Sequence, residues 1–131
     1  MGTVNYLLDT HALLWWWGQP DRLSHRALTL LREPGNTIFI SAASALEIAI
    51  KTRIQKLPGG RRIIASWEER LREDGFIEMP VHPRHTFRAG LIPAARRDPF
   101  DRLIAAQGII EEMPVIGADR KIADLGAETA W

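Results

Sequence analysis

Short apolar runs alternate with helix-like segments along the chain, and this alternation restricts the fold more than any other feature. The runs at residues 4–8, 37–40, 76–81 and 114–117 have the length and apolar character of buried strands, and polar residues, glycine or proline bound them. Strands separated by helices pair in parallel, with helices on both faces of the sheet. We therefore predict a three-layer α/β/α fold whose mostly parallel central sheet has four strands, or five if residues 128–131 form an edge strand.

Capping and helix-breaking residues predict where the helices begin and end. Ser24 is a good N-cap, Pro99 suits a first helical position, and Gly18 ends a helix. With 131 residues, of which 46% are hydrophobic, the chain can bury a core as one domain, predicted over residues 1–131. The predicted helices span residues 10–17, 25–32, 41–55, 61–73, 83–91, 99–112 and 120–125.

The composition excludes several classes of protein. The chain has no cysteine, so it contains neither disulfides nor zinc sites built on thiolates, and a reducing, cytoplasmic location is expected. Asp9 and His11 interrupt the apolar N-terminal stretch, and no apolar run reaches the ~18 residues that a membrane span needs. We expect neither a signal peptide nor a membrane partner.

Four acidic residues are predicted to lie at one edge of the sheet. Two of them directly follow predicted strands, one lies early in the helix after the second strand, and one lies early in the helix before the fourth strand. In parallel α/β sheets the functional cleft lies beyond the carboxyl ends of the strands. The four are Asp9, Asp119, Glu47 and Asp101.

Each acid also has a purely structural interpretation. Asp9 and Asp119 are placed to cap the helices that follow them, and Asp101 lies three residues after Asp98, itself a good N-cap. Glu47 completes a capping box with Ser44 if the helix begins at Ala45, and Lys51 is an alternative ionic partner one turn away. These alternatives stay open for each acid taken singly.

Taken together, the acids indicate a cation site, because like charges in one cleft repel unless a cation compensates. Hard oxygen ligands favour Mg²⁺ or Mn²⁺. Such an ion polarises a phosphoryl oxygen and lowers the pKa of bound water.

The charge distribution is compatible with a polyanionic partner without requiring one. The net charge is only +1, but residues 51–102 hold twelve Lys and Arg against seven Asp and Glu. This basic segment would suit a phosphate backbone, although solvated helix faces also produce such runs. The candidate phosphate contacts beside the cleft are Arg96, Arg97 and Arg102, and Thr10 or His11 is placed to orient water or substrate.

Three consecutive tryptophans, Trp15 to Trp17, cannot all face one core from a single helix. At least one is therefore expected to be exposed for a partner, unless neighbouring loops bury it.

Four ordered blocks of the sequence resemble the PIN-domain ribonucleases of the VapC toxin type. They begin at Leu7, Ser41, Arg97 and Val115 and read LLDTHALLW, SAASALEIAIK, RDPFDRLIAAQ and VIGAD. The resemblance implies a PIN-like fold, metal-dependent endonucleolytic cleavage of RNA, a cognate antitoxin and dimerisation. It also implies that Asp9, Glu47, Asp101 and Asp119 are catalytic metal ligands, with Asp98 of the Asp-Pro-Phe-Asp block as an auxiliary residue.

Two departures from that family pattern concern packing at the edge of the fold. The tail from Gly126 to Trp131 is less apolar than the usual final strand, and Ala45 stands where an aromatic residue often precedes the glutamate.

Three other functions are alternatives to a PIN-domain ribonuclease. A haloacid-dehalogenase-like phosphatase needs a second acid two residues after the first, where this chain has His11, and a dinucleotide-binding module needs a glycine-rich turn after strand one. The sequence does not separate a nuclease from a catalytically silent PIN-fold interaction protein.

Overall fold

The computed structural model describes residues 4–95 and 97–131, which form a five-stranded parallel sheet with helices on both faces. The strand order is β3-β2-β1-β4-β5, and every neighbouring pair is parallel. This confirms the predicted α/β class, including the edge strand near the C-terminus. The strands are β1 (Asn5–Leu8), β2 (Thr37–Ser41), β3 (Ile77–Met79), β4 (Val115–Ile116) and β5 (Thr129–Ala130).

The helices largely follow the predicted pattern. Ser24 caps the second helix by accepting a hydrogen bond from the N–H of Ala27, as expected. A 3₁₀ turn at Pro20–Arg22 links the first two helices. The helices are α1 (Thr10–Gly18), α2 (His25–Arg32), α3 (Ala42–Arg53), α4 (Gly60–Ala65), α5 (Trp67–Asp74), α6 (Pro83–Leu91), α7 (Pro99–Ile110) and α8 (Arg120–Asp124). In the described ranges, none of these helices has both the length and the apolarity to cross a bilayer.

The prediction of one continuous helix over residues 61–73 was wrong, because the chain breaks at Ser66 into α4 and α5. The Ser66 hydroxyl donates to the Arg62 carbonyl at 2.6 Å and accepts from Arg70 Nε at 2.7 Å. A serine that hydrogen-bonds back to a carbonyl in the preceding turn competes with regular helix geometry. The spacing of the apolar residues does not predict this break, because it contains no information on hydrogen bonds from the serine side chain.

The alternation of side chains along β1 separates the two hydrophobic layers of the protein. Leu8 packs into a core with Ile40 and the buried residues of α1, whereas Leu7 packs into a second core with Val115 and residues of α7 and α8. Both leucines are fully buried. Side chains on opposite sides of the same strand therefore contact the helices on the two faces of the sheet. That residues 1–131 form a single domain stays a prediction.

Gly108 allows α7 to lie close against β4. A Cβ atom at Gly108 would lie 3.0 Å from both the Met113 carbonyl oxygen and the Val115 Cγ2. Because α7 runs back along the sheet before β4, this contact fixes the helix that carries Asp101 at its other end.

Substitution of Gly108 tests this close packing. We expect Gly108→Ala to lower the free energy of unfolding, because overpacking costs about 1–3 kcal/mol, against a gain of roughly 0.5–1 kcal/mol in helix propensity. Urea denaturation followed by circular dichroism measures the change. The control is Gly90→Ala in α6, where a Cβ would meet nothing within 4 Å, so this variant should be unchanged or more stable. Equal stabilities for the two variants would contradict the close-packing account.

Candidate active site at the carboxyl edge of the sheet

Asp9 follows β1 directly and places a buried carboxylate at the carboxyl edge of the sheet. Its backbone N–H donates to the Ile116 carbonyl at 2.9 Å, which ties the end of β1 to the end of β4. Asp9 is only 6% exposed, and although it occupies the N-cap position of α1, its side chain makes no capping hydrogen bond. The capping interpretation therefore does not explain why this carboxylate is buried.

Glu47 lies on the buried face of α3 and is not part of a capping box. The helix begins at Ala42, and Ser41 is its N-cap, accepting from the Ala43 N–H at 3.0 Å. The capping-box alternative with Ser44 was therefore wrong. Glu47 instead pairs with Lys51, whose Nζ lies 2.9 Å from Glu47 Oε2, as the alternative of an ionic partner one turn away predicted.

A buried hydrogen bond connects the helices that carry Asp9 and Glu47. The hydroxyls of Thr10 and Ser44 lie 2.7 Å apart, and both residues are almost completely buried. This bond gives Thr10 a positioning role beside Asp9. From the sequence, Ser44 was expected only as a cap, although its place one turn before Glu47 was a usable signal.

Asp98 and Asp101 occupy the first turn of α7 in different ways. The Asp98 side chain caps the helix by accepting from the N–H groups of Phe100 at 2.9 Å and Asp101 at 3.3 Å. Asp101 is partly buried and lies in the first turn, where the positive end of the helix favours a carboxylate. The structure thus gives Asp98 a capping role, as expected.

Asp119 has a structural contact of its own. It is the N-cap of α8, and its Oδ1 accepts from the Lys121 N–H at 2.9 Å. The capping alternative is confirmed for this residue, but it occupies one carboxylate oxygen and does not remove the negative charge.

The four acids influence one another electrostatically. Burial, followed by the negative charges of Glu47 and Asp119, raises the pKa of Asp9 to about 6, while a positive charge on His11 acts in the opposite direction. Burial also raises the pKa of Asp101 to about 6, with further contributions from Asp98, Asp119, Asp9 and Glu47. The four predicted residues therefore lie near enough to act on one another, and their negative charges add to the effect of burial on proton binding.

Space for a ligand is present next to Asp9. A cavity of about 420 Å³ is bounded by Asp9 and Asp119 together with His11, Trp15 and Arg22. Gly117 keeps the Asp9 side chain free of steric contact, since a Cβ there would lie 2.8 Å from Asp9 Cβ. A larger cavity of about 600 Å³ lies between α3, α4 and α5, but none of the four predicted ligands lines it.

The donor set fits a hard divalent cation, although the donors are not gathered into a finished site. Within residues 4–95 and 97–131, no three His, Asp or Glu side chains already form a metal-binding group. Two of the donors already have other contacts, since Glu47 pairs with Lys51 and Asp119 caps the start of α8. The carboxylate oxygens, their mutual repulsion and the space left by Gly117 match the requirements of Mg²⁺ or Mn²⁺.

The three predicted phosphate-binding arginines have different positions. The Arg102 guanidinium donates to the carbonyls of Ala89, Ile92 and Ala94 at 2.7–3.0 Å, so it holds the segment between α6 and α7. Arg97 is exposed beside Asp98, and its contact with RNA stays a prediction. Arg96 lies outside the described residues.

The three tryptophans are all half-buried. Trp16 packs on Phe76, and Trp17 packs edge-on against Trp67, with ring centroids 6.0 and 5.7 Å apart. Trp15 contacts Trp131 and borders the cavity beside Asp9. Packing against neighbouring elements thus explains the positions of Trp16 and Trp17. The position of Trp15 at the cavity was not predicted from the sequence.

The fold agrees with comparisons to known proteins. The family model of the PIN domain matches residues 6–128, and the chain belongs to this family. Ribonuclease VapC22 of Mycobacterium tuberculosis (strain ATCC 25618 / H37Rv) is 28% identical over 117 residues, which is 88% of each chain.

Solved structures show the same PIN-like fold. A chain in the structure of VapBC2 from Rickettsia felis, bound to a DNA fragment from their promoter, has a TM-score of 0.69 at 18% identity and 96% coverage of both chains. VapBC-5 from Mycobacterium tuberculosis, of the VapBC family of toxin-antitoxin systems, has a TM-score of 0.62 at 17% identity, covering 96% of this chain and 94% of that chain.

The raised pKa values predict that the acidic cluster destabilises the metal-free protein as the pH increases. Asp9 and Asp101 have folded-state pKa values of about 6 against an ordinary value of 3.8, so the folded state binds protons more tightly than the unfolded state. Their stabilising contribution is complete below pH 3.8 and is lost as the pH rises through 6. In chelator, Asp101→Asn should therefore gain stability over the wild type as the pH increases from acidic to neutral. Urea denaturation across this range measures the difference.

The control for this experiment is Glu73→Gln, which neutralises an exposed carboxylate in α5 away from the cluster. Its stability relative to the wild type should show little dependence on pH. An Asp101→Asn variant whose relative stability is equally flat would show that burial and the neighbouring carboxylates do not raise the pKa of Asp101.

Proposed function

We propose that this protein is a metal-dependent endoribonuclease that acts as the toxin of a VapBC-type toxin–antitoxin pair. The observation that carries the proposal is that Asp9, Glu47, Asp101 and Asp119 lie near enough for their charges to add to the effect of burial, which raises the pKa values of Asp9 and Asp101 to about 6. Membership of the PIN family and the 28% identity to Ribonuclease VapC22 support it. The substrate is RNA, and the products arise by hydrolysis of internal phosphodiester bonds.

The four carboxylates would hold Mg²⁺ or Mn²⁺, with Asp9 and Asp101 as the central pair. When bound, the ion supplies a polarised phosphoryl oxygen and a water of lowered pKa. Asp9 contributes a rigid ligand, because its backbone is tied to β4 and its neighbour Thr10 is tied to Ser44. Asp101 is more accessible than Asp9 and is the better placed of the two to accept a proton from attacking water.

The remaining auxiliary residues either position other side chains or contact the substrate. The buried Thr10 hydroxyl keeps α1 and α3 together, which fixes the distance between Asp9 and Glu47. His11 is exposed on the cavity wall and is placed to orient substrate. Asp98 maintains the start of α7, and Arg97 is proposed to contact the phosphate backbone.

The proposal includes a cognate antitoxin, a homodimer and a cytoplasmic location. The structural neighbours are VapBC assemblies, which supports an antitoxin partner. Phe87 and Leu91, one turn apart on α6, are 70% and 80% exposed and would suit burial between two copies of the chain. The absence of cysteine is compatible with a reducing compartment.

The other functions have less support. The PIN family match gives no support to a haloacid-dehalogenase-like phosphatase, and His11 still stands where that class needs a second acid. A catalytically silent PIN-fold protein would retain the fold without cleaving RNA, so cleavage assays separate it from the nuclease.

Substitution of Asp101 tests the catalytic role. We expect Asp101→Asn to reduce cleavage of tRNA or rRNA at least about 100-fold, more than the usual loss of an outer-shell partner, because it removes a carboxylate ligand and proton acceptor. Gel analysis of RNA fragments with Mg²⁺, with Mn²⁺ and with chelator measures the effect, using protein freed of any antitoxin.

The matched control is Asp98→Asn in the same turn of α7. Asparagine caps helices as well as aspartate does, so this variant should keep most of the activity and stability. Identical RNA ladders from the wild type and Asp101→Asn would refute the nuclease proposal.

Lys51 provides a second test, because it competes with a bound cation for Glu47. We expect Lys51→Gln to bind Mn²⁺ roughly two- to five-fold more tightly, since a partly exposed ion pair is worth up to about 1 kcal/mol. Isothermal titration calorimetry on the isolated protein measures this affinity without RNA. The control is Arg53→Gln, an exposed position in the same helix. Weaker Mn²⁺ binding by Lys51→Gln would show that Lys51 supports the site instead of competing for it.

A further inference from the structure

The cavity beside Asp9 has an aromatic and cationic wall that the metal chemistry does not use. Asp9 and Asp119 form one side of this 420 Å³ space, and His11, Trp15 and Arg22 form another. The centroids of the His11 and Trp15 rings lie 6.2 Å apart, and the ring planes are inclined by 29°. We call these two rings the aromatic shelf.

The Trp15 ring of the aromatic shelf packs against a second tryptophan. The Trp15 ring lies 5.8 Å from the Trp131 ring, which follows edge strand β5. Trp15 is half-buried, so part of its surface remains accessible from the cavity. A rigid, partly exposed aromatic ring loses little conformational entropy when a ligand stacks on it.

Arg22 lies over the indole ring of Trp15. Its guanidinium carbon lies 4.9 Å from the centre of the Trp15 ring, within the range of a cation–π contact. The residue is exposed, and its hydrogen bond to Gln19 Oε1 is long, at 3.5 Å. The guanidinium can therefore leave the ring at small cost and donate to a nearby phosphate.

We propose that this cavity binds an unpaired base of the RNA next to the phosphodiester that is cleaved. The base stacks on Trp15 in the place that Arg22 now occupies, while Arg22 moves to the phosphate of the same nucleotide. Unpaired RNA bases bind proteins chiefly by stacking on aromatic side chains. Because Asp9 and Asp119 line the same cavity, the stacked nucleotide brings its phosphodiester to the carboxylates. This inference rests on the proposed ribonuclease function and adds a substrate-positioning site to it.

The site predicts a requirement for single-stranded RNA at the cleavage position. A base in a duplex is stacked on its neighbours and cannot occupy the cavity without unpairing. The phosphate contact through Arg22 carries charge but no base preference, whereas the stack on Trp15 needs a base of any kind.

The test compares a fluorescein-labelled single-stranded oligoribonucleotide with a matched oligomer whose nucleotides are abasic. Binding is measured by fluorescence anisotropy in EDTA, with every variant made in an Asp101→Asn background so that no cleavage interferes. Trp15→Leu should weaken binding of the RNA roughly 5- to 150-fold, the range for one stacked base, and leave the abasic oligomer unaffected. Trp15→Phe, which retains an aromatic ring, should restore most of the affinity.

Arg22→Gln tests the same site at an exposed position where folding is not at risk. It should weaken binding of both oligomers and reduce the slope of log K against log salt by about 0.7, as loss of one phosphate contact to a single strand does. Arg26→Gln, an exposed arginine of α2 that does not line the cavity, is the charge-matched control and should show neither effect.

The outcomes separate this inference from the proposed function. If wild-type protein cleaves RNA but Trp15→Leu and Arg22→Gln bind it as tightly as their parent, the base site is refuted and the nuclease stands. If wild-type protein neither binds nor cleaves RNA, the proposed function fails, and the base site fails with it.

Discussion

Repulsion among carboxylates at the end of β1 is the constraint on which the rest of this site depends. A parallel sheet delivers the ends of its strands to one edge, and here β1 and β4 deliver Asp9 and Asp119 to the same place. Helices α3 and α7 add Glu47 and Asp101. Three features reduce this repulsion. Lys51 forms an ion pair with Glu47, and Asp101 and Asp119 lie at the starts of helices. The raised pKa of Asp101 also allows this carboxylate to bind a proton at a higher pH than usual. A divalent cation would relieve it more completely than any of these.

The surrounding structure keeps the carboxylates together despite their repulsion. The hydrogen bond between Thr10 and Ser44 joins the two helices that carry Asp9 and Glu47, and the backbone of Asp9 is fixed to β4. Gly117 leaves room for the Asp9 side chain, and Gly108 allows α7 to pack closely on β4. These contacts are buried or backbone-based, so they persist when the exposed ionic contacts exchange.

Much of this arrangement was predictable because it depends on local sequence patterns. The period of the apolar residues identified the strands and most helices, and the position of each acid relative to its strand was sufficient to place Asp9 and Asp119 at one edge. Specific contacts of side chains were not predictable, either within one segment or between segments. The interruption at Ser66 depends on a side chain bonding to its own helix, and the role of Arg102 depends on carbonyls that a single sequence does not place. For the same reason Arg22 and Trp15, which are seven residues apart and meet through a turn, were not associated.

The most direct test of the central claim is anomalous X-ray diffraction from crystals of the isolated protein that contain Mn²⁺. We predict an anomalous peak within direct coordination distance of an Asp9 carboxylate oxygen and of at least one more oxygen from Glu47, Asp101 or Asp119. Glu47 should also have separated from Lys51 in that structure if it serves as a ligand. A fully loaded crystal with no Mn²⁺ among these four carboxylates would contradict the claim that their convergence forms a metal site.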